Sequence, residues 1–88
     1  MQVEISRKFQ KQLLKISDKK LRLNVFQIIE HVENANRITE IKNIKKLSGF
    51  RNYYRIRQGN YRIGIKIENN TIIFAAFDHR GDIYKYFP

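Results

Sequence analysis

The chain of 88 residues contains no cysteine and only two histidines, His31 and His79. Without cysteine the protein cannot build a disulfide framework, a thiolate zinc site or a cysteine nucleophile. Two histidines are too few to indicate a metal site made of protein ligands alone, and we expect neither a metal nor a cofactor. The longest apolar run, Ile72 to Phe77, is six residues long, far shorter than a membrane span.

The first residues include no apolar stretch of signal-peptide length, and we therefore expect a cytoplasmic protein. A chain of this size buries about 60–65% of the surface that its unfolded form exposes, which predicts one domain around one modest core. Apolar residues make up 42% of the sequence, enough for a globular fold rather than a disordered tail.

Acidic residues are scarce. Eight carboxylates face 18 lysines and arginines, and the net charge is +10. Such a charge attracts polyanions: RNA, DNA, the ribosome, an acidic protein or an anionic lipid surface. Because apolar and aromatic residues are interleaved with the densest basic stretch, we interpret it as a folded basic surface rather than a tail. From Lys45 to Lys66 the chain has no acid and seven cations: Lys45, Lys46, Arg51, Arg55, Arg57, Arg62 and Lys66.

The first half of the chain has the pattern of one strand followed by two helices. Alternation around Val3 and Ile5 predicts a short strand, and Ser6 can cap a first helix of about ten residues. Either Ser17 or Asp18 can cap a second helix, which ends near Asn34. Its apolar positions fall on one face, at Leu21, Val25, Ile28, Ile29 and Val32. The stretch 38–47 fits a helical turn or the lead into a strand.

After residue 50, apolar residues recur at every second position instead of at helical spacing. Strands are predicted over 53–58, 61–67 and 71–78, joined by the turn signals Gly59-Asn60 and Asn69-Asn70. The fold class is therefore α+β: a short N-terminal strand and a two-helix hairpin packed on an antiparallel sheet of about four strands.

Alternation along the hairpin carries the functional inference, because successive strand residues point to opposite faces. It gathers Arg55, Arg57 and Arg62 on the face away from the helices. Gly64 lies among them without a side chain and would leave a floor for a ligand, with Tyr53 beside it for base stacking. Guanidinium groups bind phosphate bidentately, so this face fits a phosphate backbone better than it fits the alternative of a merely solvated sheet surface.

Two segments resemble a known superfamily. The run from Leu47 to Gly64, with its core Tyr53-Tyr54-Arg55-Ile56-Arg57 followed by Gly59-Asn60-Tyr61-Arg62, is similar to the central signature of the RelE/ParE toxins of type II toxin–antitoxin pairs. The ending His79-Arg80-Gly81-Asp82-Ile83-Tyr84 resembles the last motif of that superfamily. The likeness covers nearly the whole chain and implies one RelE/ParE-like toxin domain over residues 1–88, similar to RelE-like members.

The resemblance implies a cytoplasmic, ribosome-dependent mRNA endonuclease that inhibits translation. It would cut in the A site of the 70S ribosome by attack of the ribose 2′-hydroxyl on the scissile phosphate, without a metal. The implied partners are mRNA, the ribosome and a cognate antitoxin with an acidic wrapping segment over the basic face near Arg62 or Tyr84. DNA would be met only through the antitoxin, and no membrane is involved.

Carried over by motif position, the catalytic residues fall on the hairpin and the last motif. A C-terminal tyrosine falls on Tyr84, with Tyr86 as the alternative. Arginines cannot act as bases, so those at positions 55 and 57 are interpreted as phosphate clamps and His79 as the candidate acid–base group. The catalytic set is Arg55, Arg57, Arg62, Arg80, Tyr84 and His79, and the RNA-binding set is Lys45, Lys46, Arg51, Tyr53 and Lys66.

Two other readings remain open. A ParE-like inhibitor of DNA gyrase would use the same fold by binding alone, and a non-catalytic homologue would bind RNA or the ribosome without cutting. Outside the site, Phe9, Phe26 and Phe74 are predicted in the core, and Phe87-Pro88 is predicted against the sheet or an antitoxin. Asp78 and Asp82 are predicted to orient Arg80.

Overall fold

The computed structural model describes residues 1–88, in which two helices pack on a five-stranded sheet. The helices are α1 (Arg7–Leu14) and α2 (Lys19–Asn34), and neither is long and apolar enough to cross a lipid bilayer. Single 3₁₀ turns lie at Ile38–Glu40 and Ile83–Lys85. The strands are β1 (Gln2–Ile5), β2 (Ile44–Lys46), β3 (Tyr53–Gln58), β4 (Tyr61–Glu68) and β5 (Thr71–His79).

The sheet order is β1-β5-β4-β3-β2. Strands β2 to β5 pair antiparallel, whereas β1 lies parallel to β5, with Gln2 opposite Thr71. The predicted α+β class is confirmed. The strand beyond the four predicted is β2, within the stretch 38–47 that the sequence left ambiguous, and the parallel pair arises because β1 adds to the free edge of β5.

Both helix starts are capped by side chains. The Ser6 hydroxyl accepts a hydrogen bond from the Phe9 amide at 3.0 Å, as predicted. Of the two candidate caps for α2, Asp18 is the one used, and its carboxylate accepts from the amides of Lys20 and Leu21 at 2.9 and 3.2 Å. These bonds satisfy amides that a helix start leaves unpaired. The ambiguous stretch 38–47 contains both a 3₁₀ turn and β2.

The hairpin turns have the backbone that their residues favour. Gly59 has a φ of 57°, and Asn69 and Asn70 have φ values of 51° and 64°. Glycine enters this left-handed region without steric cost, and asparagine enters it more readily than most residues. The Gly59 turn therefore holds β3 and β4 in the register that the alternation predicts, whereas the register of β4 with β5 shifts between Gly64 and Ile65.

The main core lies between the helices and one sheet face. It includes Phe9, Val25, Ile63 and Phe74, all fully buried. The prediction for Phe26 was wrong: its side chain is 56% exposed because it lies off the apolar stripe of α2 that carries Val25 and Val32. A second, smaller cluster of Ala76, Ile83 and Phe87 covers part of the other sheet face.

Candidate functional site

The basic face of the sheet is built by direct cross-strand pairing. Arg55 of β3 lies opposite Gly64 of β4, and Arg57 lies opposite Arg62. On its other side Arg62 lies opposite Asp78 of β5. Residues paired in register point to the same face of a sheet, so the predicted arginine face exists.

A depression of about 490 Å³ opens on this face, and we call it the arginine depression. It gathers residues from three strands, the loop after β2 and the C-terminal turn. Its lining residues are Lys45, Lys46, Leu47, Ser48, Arg55, Arg62, Arg80 and Tyr84. Three of the four predicted catalytic arginines, the predicted tyrosine and two predicted RNA-binding lysines thus meet in one place.

Backbone carbonyls hold two of the guanidinium groups. Arg62 donates from one Nη to the carbonyls of Gly59 and Tyr61, both at 2.9 Å. Arg55 donates to the carbonyl of Asn43, just before β2, at 2.7 Å. A guanidinium carries five N–H donors, so both arginines keep donors for an anionic ligand.

No acid neutralises the arginines of the depression. The ion pairs of the protein are Arg37–Glu40, Lys66–Glu68 and Lys85–Asp82. The expectation that Asp78 and Asp82 orient Arg80 was wrong: Asp82 pairs with Lys85, and Asp78 accepts from the Tyr86 hydroxyl and the His79 amide. Several like charges held together without counterions attract a polyanion.

Gly64 is not an open floor, contrary to the sequence expectation. The C-terminal residues fold back across the sheet, and the ring of Phe87 lies directly on Gly64, as predicted for the tail. Tyr53 is half-buried and packs edge-on against Phe87, with ring centroids 5.7 Å apart, and against Phe50 at 6.3 Å. Its ring is therefore a wall of the tail cluster more than a platform for a base.

The two candidate tyrosines have different surroundings. The buried side chain of Ile83 anchors the C-terminal turn, and Tyr84 beside it lines the arginine depression while staying 48% exposed. The Tyr86 hydroxyl instead donates to Asp78 at 2.9 Å and accepts from Gln12 at 2.6 Å. Tyr84 is the tyrosine that the fold brings to the arginines.

Tyr86 is held as a neutral phenol. Burial raises the pKa of Tyr86, the hydrogen bond from Gln12 acts against that rise, and the Asp78 carboxylate adds to it. The Lys8 ammonium also lies over the ring, 3.9 Å from its centroid. These contacts connect the C-terminal segment to α1.

Two predicted catalytic residues lie outside the depression. The ring of His79 packs on Tyr61, with centroids 4.4 Å apart, and Tyr61 belongs to the opposite face, where it stacks on Phe77. Arg57 pairs with Arg62 but has no partner on β2, whose pairing with β3 begins at Ile56, and at this edge of the sheet it lines a separate hollow beside α2. His79 and Arg80 are adjacent in the sequence, but successive residues at a strand end point to opposite faces of the sheet, so the two side chains lie on different sides.

Two predicted RNA-binding residues also lie apart from the arginine depression. Arg51 lines a neighbouring hollow in the loop after β2. Lys66 is paired with Glu68 at 3.1 Å, and the hydrogen bond and charge of Glu68 raise the pKa of Lys66.

Sequence reasoning included Lys45 and Lys46 in the RNA-binding set and placed the tail against the sheet, but it did not identify β2 as a strand of the site or Gly64 as the residue that Phe87 covers. Lys45 lies opposite Arg55, so β2 brings an amine next to the arginines of β3. The run Ile44-Lys45-Lys46 forms this strand, but three residues are too few to be assigned as a strand from the sequence. Nothing local signals that Phe87 covers Gly64.

Comparison with known proteins identifies the family to which the chain belongs. Residues 3–84 match the family described as the ParE toxin of type II toxin–antitoxin system, parDE. Toxin RelE3 of Methanocaldococcus jannaschii is 51% identical over 69 residues, which cover 77% of this chain and 78% of that toxin.

Solved structures have the same fold. The toxin in a RelB–RelE antitoxin–toxin complex from Methanococcus jannaschii superposes with a TM-score of 0.79 and 44% identity, over 97% of this chain and 99% of that one. An archaeal RelE–RelB complex from Pyrococcus horikoshii OT3 has a TM-score of 0.74 at 22% identity, over 92% and 96% of the two chains, a likeness of fold alone.

Proposed function

The chain belongs to the RelE/ParE superfamily as a RelE-like toxin of a type II toxin–antitoxin system, and we propose that it is a ribosome-dependent endoribonuclease that cuts mRNA in the A site. The observation that carries the proposal is the arginine depression, where Arg55, Arg62 and Arg80 meet Tyr84 with no acid among the lining residues. A scissile phosphate fits this setting.

The proposed reaction is a transesterification within the RNA. The 2′-hydroxyl oxygen attacks the adjacent phosphorus, the bond from phosphorus to the 5′-oxygen breaks, and the products are a 2′,3′-cyclic phosphate and a 5′-hydroxyl. The phosphorane that forms on the way carries extra negative charge. Arg55 and Arg62, already oriented by carbonyls, would stabilise that charge without reorganisation.

One group must take the 2′-hydroxyl proton and another must protonate the leaving 5′-oxygen. Arginines cannot do either. Within the depression the groups able to exchange a proton are the Tyr84 hydroxyl and the amines of Lys45 and Lys46, with the weakly acidic Ser48 hydroxyl beside them. We assign Tyr84 to proton transfer, with Lys45 as the second group because its strand position faces Arg55. No carboxylate, histidine or cysteine lines the depression, which favours a reaction without a metal.

The relatives suggest how the toxin is restrained, since the Methanococcus jannaschii and Pyrococcus horikoshii toxins were crystallised with RelB antitoxins. We propose a cognate antitoxin with an acidic segment over the arginine depression. A second contact is the apolar patch of Leu14, Leu23 and Phe26 on α1 and α2, which are 75%, 55% and 56% exposed. Lys19 and Arg22 border this patch, so an amphipathic helix with an acidic rim fits it.

The decisive experiment is a translation reaction with a defined message, purified ribosomes and the protein, in which the RNA ends are mapped. We expect cuts confined to the A-site codon, absent when ribosomes are omitted and strongly reduced in Arg62→Ala. Intact RNA together with inhibited DNA gyrase would identify a ParE-like activity instead. Ribosome binding without cleavage or gyrase inhibition would identify a non-catalytic homologue.

A further inference from the structure

A second basic hollow lies between α2 and the end of β3, and we call it the α2 hollow. It has a volume of about 480 Å³ and no acid among its lining residues. Those residues are Asn24, Gln27, Ile28, His31, Lys42, Asn43, Ile56, Arg57 and Gln58. It therefore combines two cationic residues, Lys42 and Arg57, with side-chain amides that can both donate and accept hydrogen bonds.

The helical side of the hollow is one stripe of α2. Asn24, Gln27 and His31 stand at i, i+3 and i+7, so they lie above one another on the same face. The carboxylates of α2, Glu30 and Glu33, fall elsewhere around the helix. The stripe of α2 that faces β3, formed by Asn24, Gln27 and His31, therefore carries no acidic residue.

The opposite side is formed by the start of β2 and the end of β3. The His31 Nε2 accepts a hydrogen bond from the Lys42 amide at 3.4 Å, and the Asn43 carbonyl accepts from the Arg57 amide at 3.1 Å. The backbone is held in this way while the Lys42 and Arg57 side chains form neither ion pairs nor hydrogen bonds within the protein. Both cations remain available to an external anion.

The α2 hollow adjoins the arginine depression through one backbone group. The Asn43 carbonyl that bonds the Arg57 amide also accepts from the Arg55 side chain at 2.7 Å, and Arg55 lines the arginine depression. A flexible chain of phosphates lying in one hollow can thus continue past Asn43 into the other. Guanidinium groups bind phosphate through paired donors, and amides hydrogen-bond base edges or 2′-hydroxyls.

We propose that the α2 hollow is a second RNA site, in which Arg57 and Lys42 bind backbone phosphates flanking those held in the arginine depression. The proposal rests on the proposed function in taking RNA as the ligand. It gives Arg57 a binding role away from the scissile phosphate, and it makes the toxin contact RNA on both sides of β2.

The test measures binding rather than cleavage, so its result does not depend on whether the toxin cuts mRNA. The probe is a fluorescently labelled single-stranded RNA of mixed sequence, titrated with the full chain over a series of salt concentrations. Each phosphate contact to a single strand contributes about 0.7 to the slope of log K against log salt concentration. The variant is Lys42→Gln with Arg57→Gln, and the control with the same charge change is Arg7→Gln with Lys11→Gln, two exposed residues of α1.

We expect the Lys42/Arg57 variant to lower the salt slope by about 1.4, that is, two contacts of about 0.7 each, and the α1 control to change it by much less. Equal changes in both variants would overturn the proposal, because they would reflect net charge alone. A polyglutamate chain serves as a second probe. If the Lys42/Arg57 variant loses affinity for polyglutamate more than for RNA, the hollow is an acidic-protein surface and the proposal is wrong. The single variant Lys42→Gln, expected to lower the slope by about 0.7, guards against a folding defect in the double variant.

Discussion

Gly64 and Phe87 touch so closely that a side chain at position 64 has no room. A Cβ placed on Gly64 would lie 2.6 Å from Cε2 of the Phe87 ring, well inside van der Waals contact. The ring belongs to the cluster that also buries Ile83, and Ile83 immediately precedes Tyr84. The contact between Gly64 and Phe87 therefore fixes the turn that places Tyr84 in the arginine depression.

Gly64→Ala should destabilise the C-terminal segment. Insertion of a methyl group into a packed contact costs about 1–3 kcal/mol, measurable as a lower midpoint of urea unfolding. In a Phe87→Ala background the same substitution should cost much less, because the clashing ring is gone. An equal cost in both backgrounds would mean that the contact with Phe87 is not the cause.

Arg62→Ala should lower ribosome-dependent cleavage by about 10²–10³-fold, the range for removal of one oriented donor to a transition-state oxyanion. Thermal unfolding should change little, since the side chain bonds only to turn carbonyls. Arg7→Ala, which removes an exposed cation of α1, is the matched control. If both variants cut equally well, Arg62 has no place at the scissile phosphate.

Tyr84→Phe and Tyr86→Phe should separate chemistry from stability. Loss of the Tyr84 hydroxyl should reduce the cleavage rate by about 10²–10⁴-fold, as for a lost general acid or base, and should alter the pH–rate profile. Loss of the Tyr86 hydroxyl removes the bonds to Gln12 and Asp78 and should cost about 1 kcal/mol of unfolding free energy. If Tyr86→Phe abolished cleavage without changing stability, Tyr86 rather than Tyr84 would be the tyrosine that transfers the proton.

Stability should fall at alkaline pH through Tyr86. Its pKa is raised above the ordinary value of 10.0, chiefly by burial, so the folded protein holds the phenol proton more tightly than the unfolded chain does. The contribution is complete below pH 10.0 and is lost as the pH rises through the higher folded value. Urea unfolding at a series of alkaline pH values should show this loss in the natural sequence and a smaller loss in Tyr86→Phe. If the unfolding free energy of the natural sequence and of Tyr86→Phe fell equally with pH, Tyr86 would not be the cause of the alkaline loss of stability.

The double variant Leu23→Ser with Phe26→Ser should raise the Kd for the antitoxin at least tenfold. A tenfold change in Kd corresponds to about 1.4 kcal/mol, and burial of two large apolar side chains contributes more than that. Isothermal titration with purified antitoxin gives the value. Serine substitutions at Lys11 of α1 and at Lys15, the residue that follows the helix, serve as the comparison because both residues are exposed. Unchanged affinity would show that the antitoxin does not bind the apolar patch of α1 and α2.

The sequence predicted what depends on local pattern. Alternation located Arg55 and Arg62 on one face, and the turn residues Gly59 and Asn69 located the hairpins, because strand period and backbone preference are short-range properties. It did not predict how distant segments meet. The side on which His79 points and the burial of Gly64 under Phe87 are set by strand ends and by the path of the tail, which no neighbouring residue signals.

The parallel pairing of β1 with β5 has a consequence for synthesis. The first strand waits for residues near Thr71 before it can join the sheet, and the arginine depression lacks a wall until Arg80 and Tyr84 are made. Contacts between such distant segments form late and slowly. The growing chain therefore cannot complete the proposed cleavage site before residue 84 has been synthesised.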